Sequence, residues 1–194
     1  MDLYNCIKKT SQVKTYLDKN VKHQDVAKIL DAGHLTQSSG NIQNWRFVVV
    51  RNQEAKEKIA RACLDQLWMQ EAPVLIIVCS DNSNLKSLYP KKWKKYSREN
   101  CAAAVQNILL QSTSLGLSSC WVRSFNSLRI KNILKITNDD ISVESVITIG
   151  YSNERPKESR HKLEELTFFE NYGNRRRDIS IFPLGKHLTR FKKK

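Results

Sequence analysis

Ser38-Ser39-Gly40-Asn41-Ile42-Gln43-Asn44-Trp45 runs directly into Arg46-Phe47-Val48-Val49-Val50, and this junction of a polar octet with an apolar run is the most informative part of the chain. The β-branched run is typical of a strand, and residues 23–34 before the octet have the spacing of an amphipathic helix. A loop held at both ends in this way can present hydroxyls and a carboxamide to a ligand. A cluster of Ser, Asn and Gly also commonly forms a simple connecting turn, so both interpretations stay open at this point.

Hydrophobic periodicity predicts alternating helices and strands in a chain of 194 residues, a length typical of one domain. The predicted helices cover residues 2–12 with Asp2 as N-cap, 23–34, 53–70, 99–115 with Gly116 as the C-terminal stop, and 127–135 with Asn126 as N-cap. The predicted strands cover residues 46–51, 73–79, 118–123 and 143–151. Residues 83–96 are rich in lysine and are predicted to form a mobile connection. Alternation by itself favours a parallel, doubly wound sheet.

Several segments resemble a known family in the same order along the chain. The octet is similar to the S-S-x-N-x-Q-P-W segment of the nitroreductase family of FMN-dependent oxidoreductases. The other similar segments are Lys14–Asp18, Gln66–Pro73, Ala102–Leu110 with Leu115–Val122, and Ile149–Tyr151 followed by Pro156, Arg160 and Leu163. The similarity covers most of residues 1–173, which makes chance a poor explanation.

The resemblance implies an α+β fold with a mixed, mainly antiparallel sheet between helices. It also implies an intertwined homodimer with flavin at the interface between its subunits. We therefore expect a flavin-binding domain at residues 1–173 and a basic C-terminal tail at residues 174–194. Because short-range periodicity does not determine strand direction, we follow the resemblance rather than the alternation.

The phosphate group of FMN requires cations and hydrogen-bond donors. Lys9, Ser11 and Lys14 offer them at the end of the first predicted helix. Arg160 matches the arginine of the family's phosphate-binding loop after the last strand. The alternative for the two lysines is ordinary solvated charge.

The flavin ring needs partners that both donate and accept hydrogen bonds, which amide side chains can do. Asn41 and Gln66 are the candidates for this role. Ser38 and Ser39 match family residues that reach the flavin, generally across the dimer interface. Flavin N5 is typically met in this family by a backbone N–H of the segment that corresponds to Val122-Arg123-Ser124.

The sequence departs from the family pattern at three of these places. Thr10 and Gln12 stand where the family has arginine and serine, so Lys9 and Ser11 replace that pair only through a shift of one residue. Asn44 replaces the proline before the tryptophan. Arg123 replaces a glycine. It would place a positive charge near the redox centre, bind an acidic acceptor or the 2′-phosphate of NADPH, or be a plain surface residue.

The resemblance implies an NAD(P)H-dependent flavin oxidoreductase with a ping-pong mechanism. Hydride passes from NADH or NADPH to FMN, and a nitroaromatic, quinone or related small acceptor then takes the place of the nicotinamide. No catalytic side chain is expected, because the flavin carries the electron chemistry. The sequence contains no G-x-G-x-x-G, Walker or H-E-x-x-H motif. A flavin-binding family member with weak or no turnover is the alternative.

A net charge of +14 would favour a nucleic-acid partner if the cations formed one face. They are concentrated at Lys91–Lys95 and in the tail from Arg175 to Lys194, and no helix-turn-helix, zinc-finger or RNA-binding motif accompanies them. Solvated surface charge is therefore the favoured interpretation, and a basic nucleic-acid-binding module is the less favoured alternative.

Cysteine usage and hydropathy indicate the compartment. The five cysteines are an odd number without a Cys-x-x-Cys pair, which predicts buried free thiols in a reducing cytoplasm. The four histidines are scattered, so no metal site is expected. No stretch approaches the roughly 20 apolar residues of a membrane span, so no membrane association is expected either.

Overall fold

The computed structural model describes residues 2–154 and 159–174. They belong to two compact units, Met1–Pro156 and Lys157–Lys194, and the first unit contains the sheet. Within the described residues, no helix combines the length and the apolar character needed to cross a bilayer.

The first unit combines helices with a four-stranded sheet. Its helices are α1 (Leu3–Lys9), α2 (His23–His34), α3 (Gln53–Ala62), α4 (Ser83–Leu88), α5 (Trp93–Ser114) and α6 (Ser127–Ile133). Its strands are β1 (Trp45–Val50), β2 (Val74–Asp81), β3 (Ser118–Val122) and β4 (Ile141–Gly150). Short 3-10 helices lie at Ser39–Asn41 and Leu67–Glu71. The second unit contains α7 (Leu163–Leu166).

The strands form one antiparallel sheet in the order β1-β2-β4-β3. The parallel sheet that alternation favours is therefore wrong, and the mainly antiparallel sheet implied by the resemblance is confirmed. A parallel bridge between Gln12 and Ser119 at the outer edge of β3 adds a parallel element to it. Periodicity reports which face of a strand is buried and not the direction in which the strand runs, so it could not distinguish the two sheets.

Helices cover both faces of the sheet, because alternate side chains of a strand point to opposite faces. On β2, Val74, Ile76 and Val78 pack in the cluster that includes residues of α2 and α5. Leu75 and Ile77 pack in the cluster that includes residues of α3 and α6. All five side chains are fully buried, which explains the continuous apolar run in the sequence of β2.

The long helix α5 spans 22 residues and ends where the sequence predicts. Gly116 has φ +75°, a conformation that glycine adopts without a steric penalty. Its N–H donates to the carbonyl of Thr113 at 3.0 Å, and the N–H of Leu117 donates to the carbonyl of Ser112 at 2.9 Å. This is the Schellman pattern of a helix C-terminus.

Residues 83–96, predicted to be a connection, are largely helical, so this prediction is wrong. They contain α4 and the first turn of α5. Pro90 lies between the two helices, where its missing N–H prevents one continuous helix. The carbonyl of Tyr89 accepts from the N–H of Trp93 at 2.8 Å and connects the helices. Lysine has a high helix propensity, so a lysine-rich segment is compatible with helices and does not by itself indicate a loop.

Two helices end earlier than periodicity predicts. α1 ends at Lys9 rather than at residue 12, and α3 ends at Ala62 rather than at residue 70. Leu64 and Asp65 have φ +58° and +55°. Left-handed residues cannot continue a right-handed helix, so the apolar residues beyond them belong to a separate 3-10 helix.

The described part of the second unit covers residues 159–174 and contains a turn after α7. The N–H of Phe169 donates to the carbonyl of Asn174 at 3.0 Å. The rings of Phe168 and Tyr172 lie 4.7 Å apart between centroids. This local turn follows α7. The tail residues Arg175–Lys194 and the family-like Pro156 lie outside the described residues.

Candidate functional site

A cavity of about 400 Å³ lies beside the end of α1 in the first unit. It is lined by Lys8, Lys9, Ser11, Val13, Thr113, Gly116, Leu117, Ser118, Ser152 and Glu154. Two residues predicted to bind the flavin phosphate, Lys9 and Ser11, are thus brought together.

The conformation after α1 determines which residues face this cavity. Thr10 Oγ1 donates to the carbonyl of Cys6 at 2.9 Å and lies 3.0 Å from Thr113 Oγ1 on α5. The N–H of Val13 then donates to the carbonyl of Ser119 and fixes the chain along the edge strand β3. Thr10 therefore faces α5 although it occupies the family's arginine position. Lys9 and Ser11 line the cavity, whereas Thr10 does not, and their role toward a phosphate stays a prediction.

Lys14 is not part of the cavity lining. Its Nζ lies 5.8 Å from the ring centroid of Trp68, next to the 3-10 helix that begins after Gln66. Its backbone N–H donates to Glu154 Oε2 at 3.0 Å, and the same oxygen accepts from Thr15 N and Thr15 Oγ1 at 3.1 and 2.9 Å. These hydrogen bonds lower the pKa of Glu154.

The cavity has the chemistry that a phosphate group requires. Lys8 and Lys9 supply two ammonium groups, and Ser11 supplies a hydroxyl donor. Glu154 contributes the opposing charge, but one of its oxygens is already surrounded by three donors. The residues present therefore fit a phosphate at the α1 end of the cavity better than they fit a neutral ligand.

The polar octet forms a tight loop in which hydroxyl and amide groups have different tasks. Gly40, Asn41 and Gln43 have φ +61°, +54° and +50°. Ser38 Oγ accepts from the N–H of Gln43 at 3.0 Å, and Gln43 Nε2 donates to Asn41 Oδ1 at 3.0 Å. Among the described residues, none hydrogen-bonds to the hydroxyl of Ser39. The hydroxyl of Ser38 therefore shapes the loop.

A buried pair of asparagines holds this loop, and the sequence did not predict it. Asn100 Nδ2 on α5 donates to Asn44 Oδ1 at 2.8 Å, and Asn100 Oδ1 accepts from the N–H of Ser39 at 3.0 Å. Asn44 and Asn100 are 2% and 4% exposed. The only local signal was that Asn100 directly precedes the apolar stretch Cys101–Val105 of α5. The pair connects both ends of the loop to α5, at the position where the resemblance implies a proline.

Gln66 lies in a different part of the first unit. Its Nε2 donates to the carbonyl of Cys63 at 2.8 Å and supports the turn that follows α3. The residue is half-buried and begins the 3-10 helix that carries Trp68. Lys14 and Gln66 therefore lie near the same 3-10 helix, whereas Ser38 and Asn41 belong to the loop before β1.

The predicted N5 segment lies at the end of the edge strand. Val122 is the buried last residue of β3, and Arg123 and Ser124 are exposed directly after it. The guanidinium carbon of Arg123 lies 5.4 Å from the ring centroid of Trp121, whose Nε1 donates to Ser145 Oγ at 2.8 Å. The backbone of Arg123 lies outside the left-handed region, so replacing the family's glycine causes no strain there.

Arg160 belongs to the second unit, where its side chain is exposed. Within residues 2–154 and 159–174, no group of three or more His, Cys, Asp or Glu side chains could hold a metal ion. The five cysteines are buried and free, as predicted. Burial raises the pKa of Cys79 and Cys120 to about 11, so neither thiol has the character of a nucleophile.

Comparison with known proteins identifies the family. The model described as "Nitroreductase family" matches residues 7–69 and 63–151. The chain belongs to the nitroreductase family. The resemblance seen in the sequence is thereby confirmed.

Known relatives match most of the length of this chain. One from Methanothermobacter thermautotrophicus, named for a proposed NADH dehydrogenase/NAD(P)H nitroreductase activity, is 35% identical over 159 residues, 80% of each chain. An oxygen-insensitive NADPH nitroreductase of Helicobacter acinonychis is 25% identical over 171 residues, 72% of this chain and 80% of that protein. The NADPH:FMN oxidoreductase of Vibrio harveyi, solved with NAD⁺, has a TM-score of 0.79 at 16% identity and matches 88% of this chain and 77% of its own. The last comparison shows that the nitroreductase fold is shared.

Proposed function

We propose that this nitroreductase is an FMN-dependent NAD(P)H oxidoreductase that reduces a nitroaromatic, a quinone or a related small acceptor by a ping-pong mechanism. The observation that carries the proposal is the joint placement of Lys9 and Ser11 in one cavity of a nitroreductase fold. When bound, FMN supplies hydride uptake from NADH or NADPH and hydride delivery to the acceptor. The side chains of the protein bind and orient the reactants.

The phosphate group is held at the end of α1. Lys8 and Lys9 neutralise its charge, and Ser11 donates a hydrogen bond from its hydroxyl. Lys14 and Arg160 are proposed to contribute further cations, as the resemblance implies. Glu154 accepts hydrogen bonds from the backbone N–H groups of Lys14 and Thr15 and thereby fixes the backbone that carries Lys14.

The ring of the cofactor is positioned by amides, hydroxyls and the main chain. Asn41 and Gln66 serve its polar edge, together with Ser38 and Ser39. No described residue hydrogen-bonds to the hydroxyl of Ser39, which makes it the stronger serine candidate. A backbone N–H of Val122-Arg123-Ser124 faces N5. This role survives any substitution except proline, so the change from glycine to Arg123 leaves it intact.

The proposed functional form is an intertwined homodimer in which the Ser38–Asn41 loop serves the flavin of the partner subunit. Support comes from the exposed apolar side chains of α1. Leu3, Tyr4 and Ile7 are 68%, 38% and 50% exposed, whereas Cys6 on the same helix is buried. An apolar patch of this kind is typical of a surface that a partner covers.

We further propose that the flavin-binding domain extends to residue 173 and that residues 174–194 form a basic tail outside it. The sequence contains no known nucleic-acid-binding motif near its Lys and Arg residues, so we propose no nucleic-acid partner. A cytoplasmic location agrees with five buried, unpaired thiols.

The absorbance spectrum of the purified protein tests the function. Flavin bands are expected, with bleaching when NADPH or NADH is added without oxygen and recovery when a quinone or nitroaromatic follows. The double variant Lys9→Ala with Ser11→Ala is expected to bind FMN at least tenfold more weakly, since a charge-assisted hydrogen bond contributes roughly 1.5–3 kcal/mol. Lys28→Ala on α2 is the control and should bind FMN like the original chain. Protein that binds no added FMN would contradict the proposal.

A further inference from the structure

A cluster of cations covers the surface where α5 begins. It consists of Lys91, Lys92, Lys94, Lys95 and Arg98, which are all exposed, and we call it the basic ridge. Among the described residues, Lys95 is the ridge residue with an ion pair: its Nζ lies 3.6 Å from Glu99 Oε1 on the solvent-exposed face of the helix. The ridge therefore carries a large excess of positive charge.

This charge does not stabilise the helix. Cations are unfavourable at a helix N-terminus because the helix dipole is positive there, and the first turn of α5 contains no acidic residue. Lys94 and Arg98 lie four residues apart on one helix, a spacing at which like charges repel. Apart from the Lys95–Glu99 ion pair, local stability therefore does not account for the ridge, whereas a bound anion would relieve the repulsion.

Residues on either side of the ridge in the sequence contact the proposed flavin loop. Tyr89, two residues before Lys91, packs against Gly40, where an added Cβ would lie 2.7 Å from the Tyr89 hydroxyl. Tyr89 also makes an edge-to-face contact with Tyr96 on the first turns of α5, at 5.0 Å between ring centroids. Further along the same helix, Asn100 binds the N–H of Ser39. The cations thus lie in the first turns of α5 and directly before it, and α5 also carries Asn100, which binds the Ser38–Asn41 loop.

We propose that the basic ridge binds the phosphate groups of the nicotinamide dinucleotide and thereby favours NADPH as the electron donor. The inference rests on the proposed function, because it takes the Ser38–Asn41 loop as part of the flavin site. NADPH carries a 2′-phosphate in addition to its pyrophosphate, and clustered ammonium and guanidinium groups bind such anions with little geometric demand. NADH offers the ridge the pyrophosphate alone.

A dinucleotide fits this surface better than a nucleic acid does. Protein modules that bind DNA generally bury roughly 600–1,000 Å² or more, a larger footprint than the five side chains of the ridge provide. Proximity to the flavin loop gives no advantage to a nucleic acid. It gives a direct advantage to a donor whose nicotinamide must reach the flavin.

The test compares a charge-reversed ridge with a charge-reversed control. The ridge variant combines Lys91→Glu, Lys92→Glu and Lys94→Glu. The control has the same change in net charge on other elements, through Lys22→Glu, Lys28→Glu and Lys135→Glu. A milder ridge variant with glutamine at the same three positions guards against misfolding. Each protein is assayed with NADPH and with dihydronicotinamide riboside, a donor that carries no phosphate.

The ratio of kcat/KM for NADPH to kcat/KM for the riboside is expected to fall at least tenfold in the ridge variant and less than threefold in the control. The loss should shrink as salt is raised toward 0.5 M, because screening weakens the attraction. Equal losses in both variants, or an unchanged ratio in the ridge variant, would overturn the proposal.

A direct binding measurement tests the role of the ridge independently of the proposed function. Calorimetry with NADP⁺ should give a Kd at least tenfold weaker for the ridge variant than for the control, whether or not the protein turns over. A chain that oxidises neither donor would contradict the proposed function, and the NADP⁺ titration would still decide the ridge. Loss of single-stranded DNA binding with unchanged NADP⁺ binding would assign the ridge to nucleic acid and overturn the inference.

Discussion

Asn100 Nδ2 lies 2.8 Å from Asn44 Oδ1, and both side chains are buried between the long helix and the start of β1. Through its other amide atom, Asn100 also accepts from the N–H of Ser39. One side chain therefore connects both ends of the loop that the proposed function assigns to the flavin.

Removal of this side chain should loosen the loop. We expect Asn100→Ala to lower the free energy of unfolding by about 1–3 kcal/mol, because it leaves Asn44 Oδ1 and the Ser39 N–H unpaired. Asn107→Ala is the matched control, since Asn107 on the same helix binds the carbonyl of Ala32 and Thr36 Oγ1. Urea unfolding measures both losses. FMN affinity should fall about fivefold or more only in Asn100→Ala, and equal FMN affinity in the two variants would refute the assignment.

Acid should remove the contribution of Glu154. The pKa of Glu154 is lowered from its ordinary 4.5 in the folded protein, so its stabilising effect is present above that value. The effect is lost as pH falls through the lower, folded pKa. We expect the original chain to be more stable than Glu154→Gln at pH 7 and the difference to disappear once the pH falls below the folded pKa of Glu154. Thermal unfolding across this range measures it, and a difference that grows on acidification would contradict the assigned hydrogen bonds.

Arg123→Gly should lower the reduction potential of the bound flavin. A cation near N5 stabilises the anionic reduced form, although its position over Trp121 and its exposure weaken the effect. We expect a decrease of a few tens of millivolts, since 30 mV corresponds to about 1.4 kcal/mol for a two-electron couple. Redox titration with a reference dye measures the change. An unchanged potential together with unchanged kcat/KM for both nicotinamides would make Arg123 a bystander.

Arg160→Ala tests the second unit as a source of phosphate ligands. We expect an approximately tenfold or larger loss of FMN affinity, because a charge-assisted hydrogen bond to phosphate contributes roughly 1.5–3 kcal/mol. Lys162→Ala is the control from the same exposed segment. Equilibrium dialysis against FMN compares the two variants. If both lose equally little affinity, the phosphate is held by the first unit alone.

Local signals predicted the fold where local chemistry decides it. The side chains of Asp2 and Asn126 accept from the backbone N–H groups of Asn5 and Arg129, as their positions before α1 and α6 predict. Gly116 ends α5 for an equally local reason. The strand boundaries agree with the prediction to within two residues, because alternation and apolar runs directly report burial.

Features that depend on distant parts of the chain could not be read in this way. The Asn44–Asn100 hydrogen bond joins residues 56 positions apart, and no local pattern encodes it. Strand direction also depends on pairing between distant segments, so its prediction required the family resemblance. Within the site, the placement of Lys9 and Ser11 at the cavity follows from the end of α1, which periodicity placed three residues too late.

The reactivity of the five buried thiols reports local opening of the structure. At pH 8 a thiol whose pKa is about 11, as for Cys79 on β2 and Cys120 on β3, is thiolate in roughly one molecule in a thousand, so a thiol reagent reacts only after exposure. Cys6 lies on α1 and Cys101 on α5, so the labelling rates of separate cysteines report the detachment of separate layers. Measured by mass spectrometry with and without FMN, these rates would show which layer the cofactor holds closed, without any substitution in the chain.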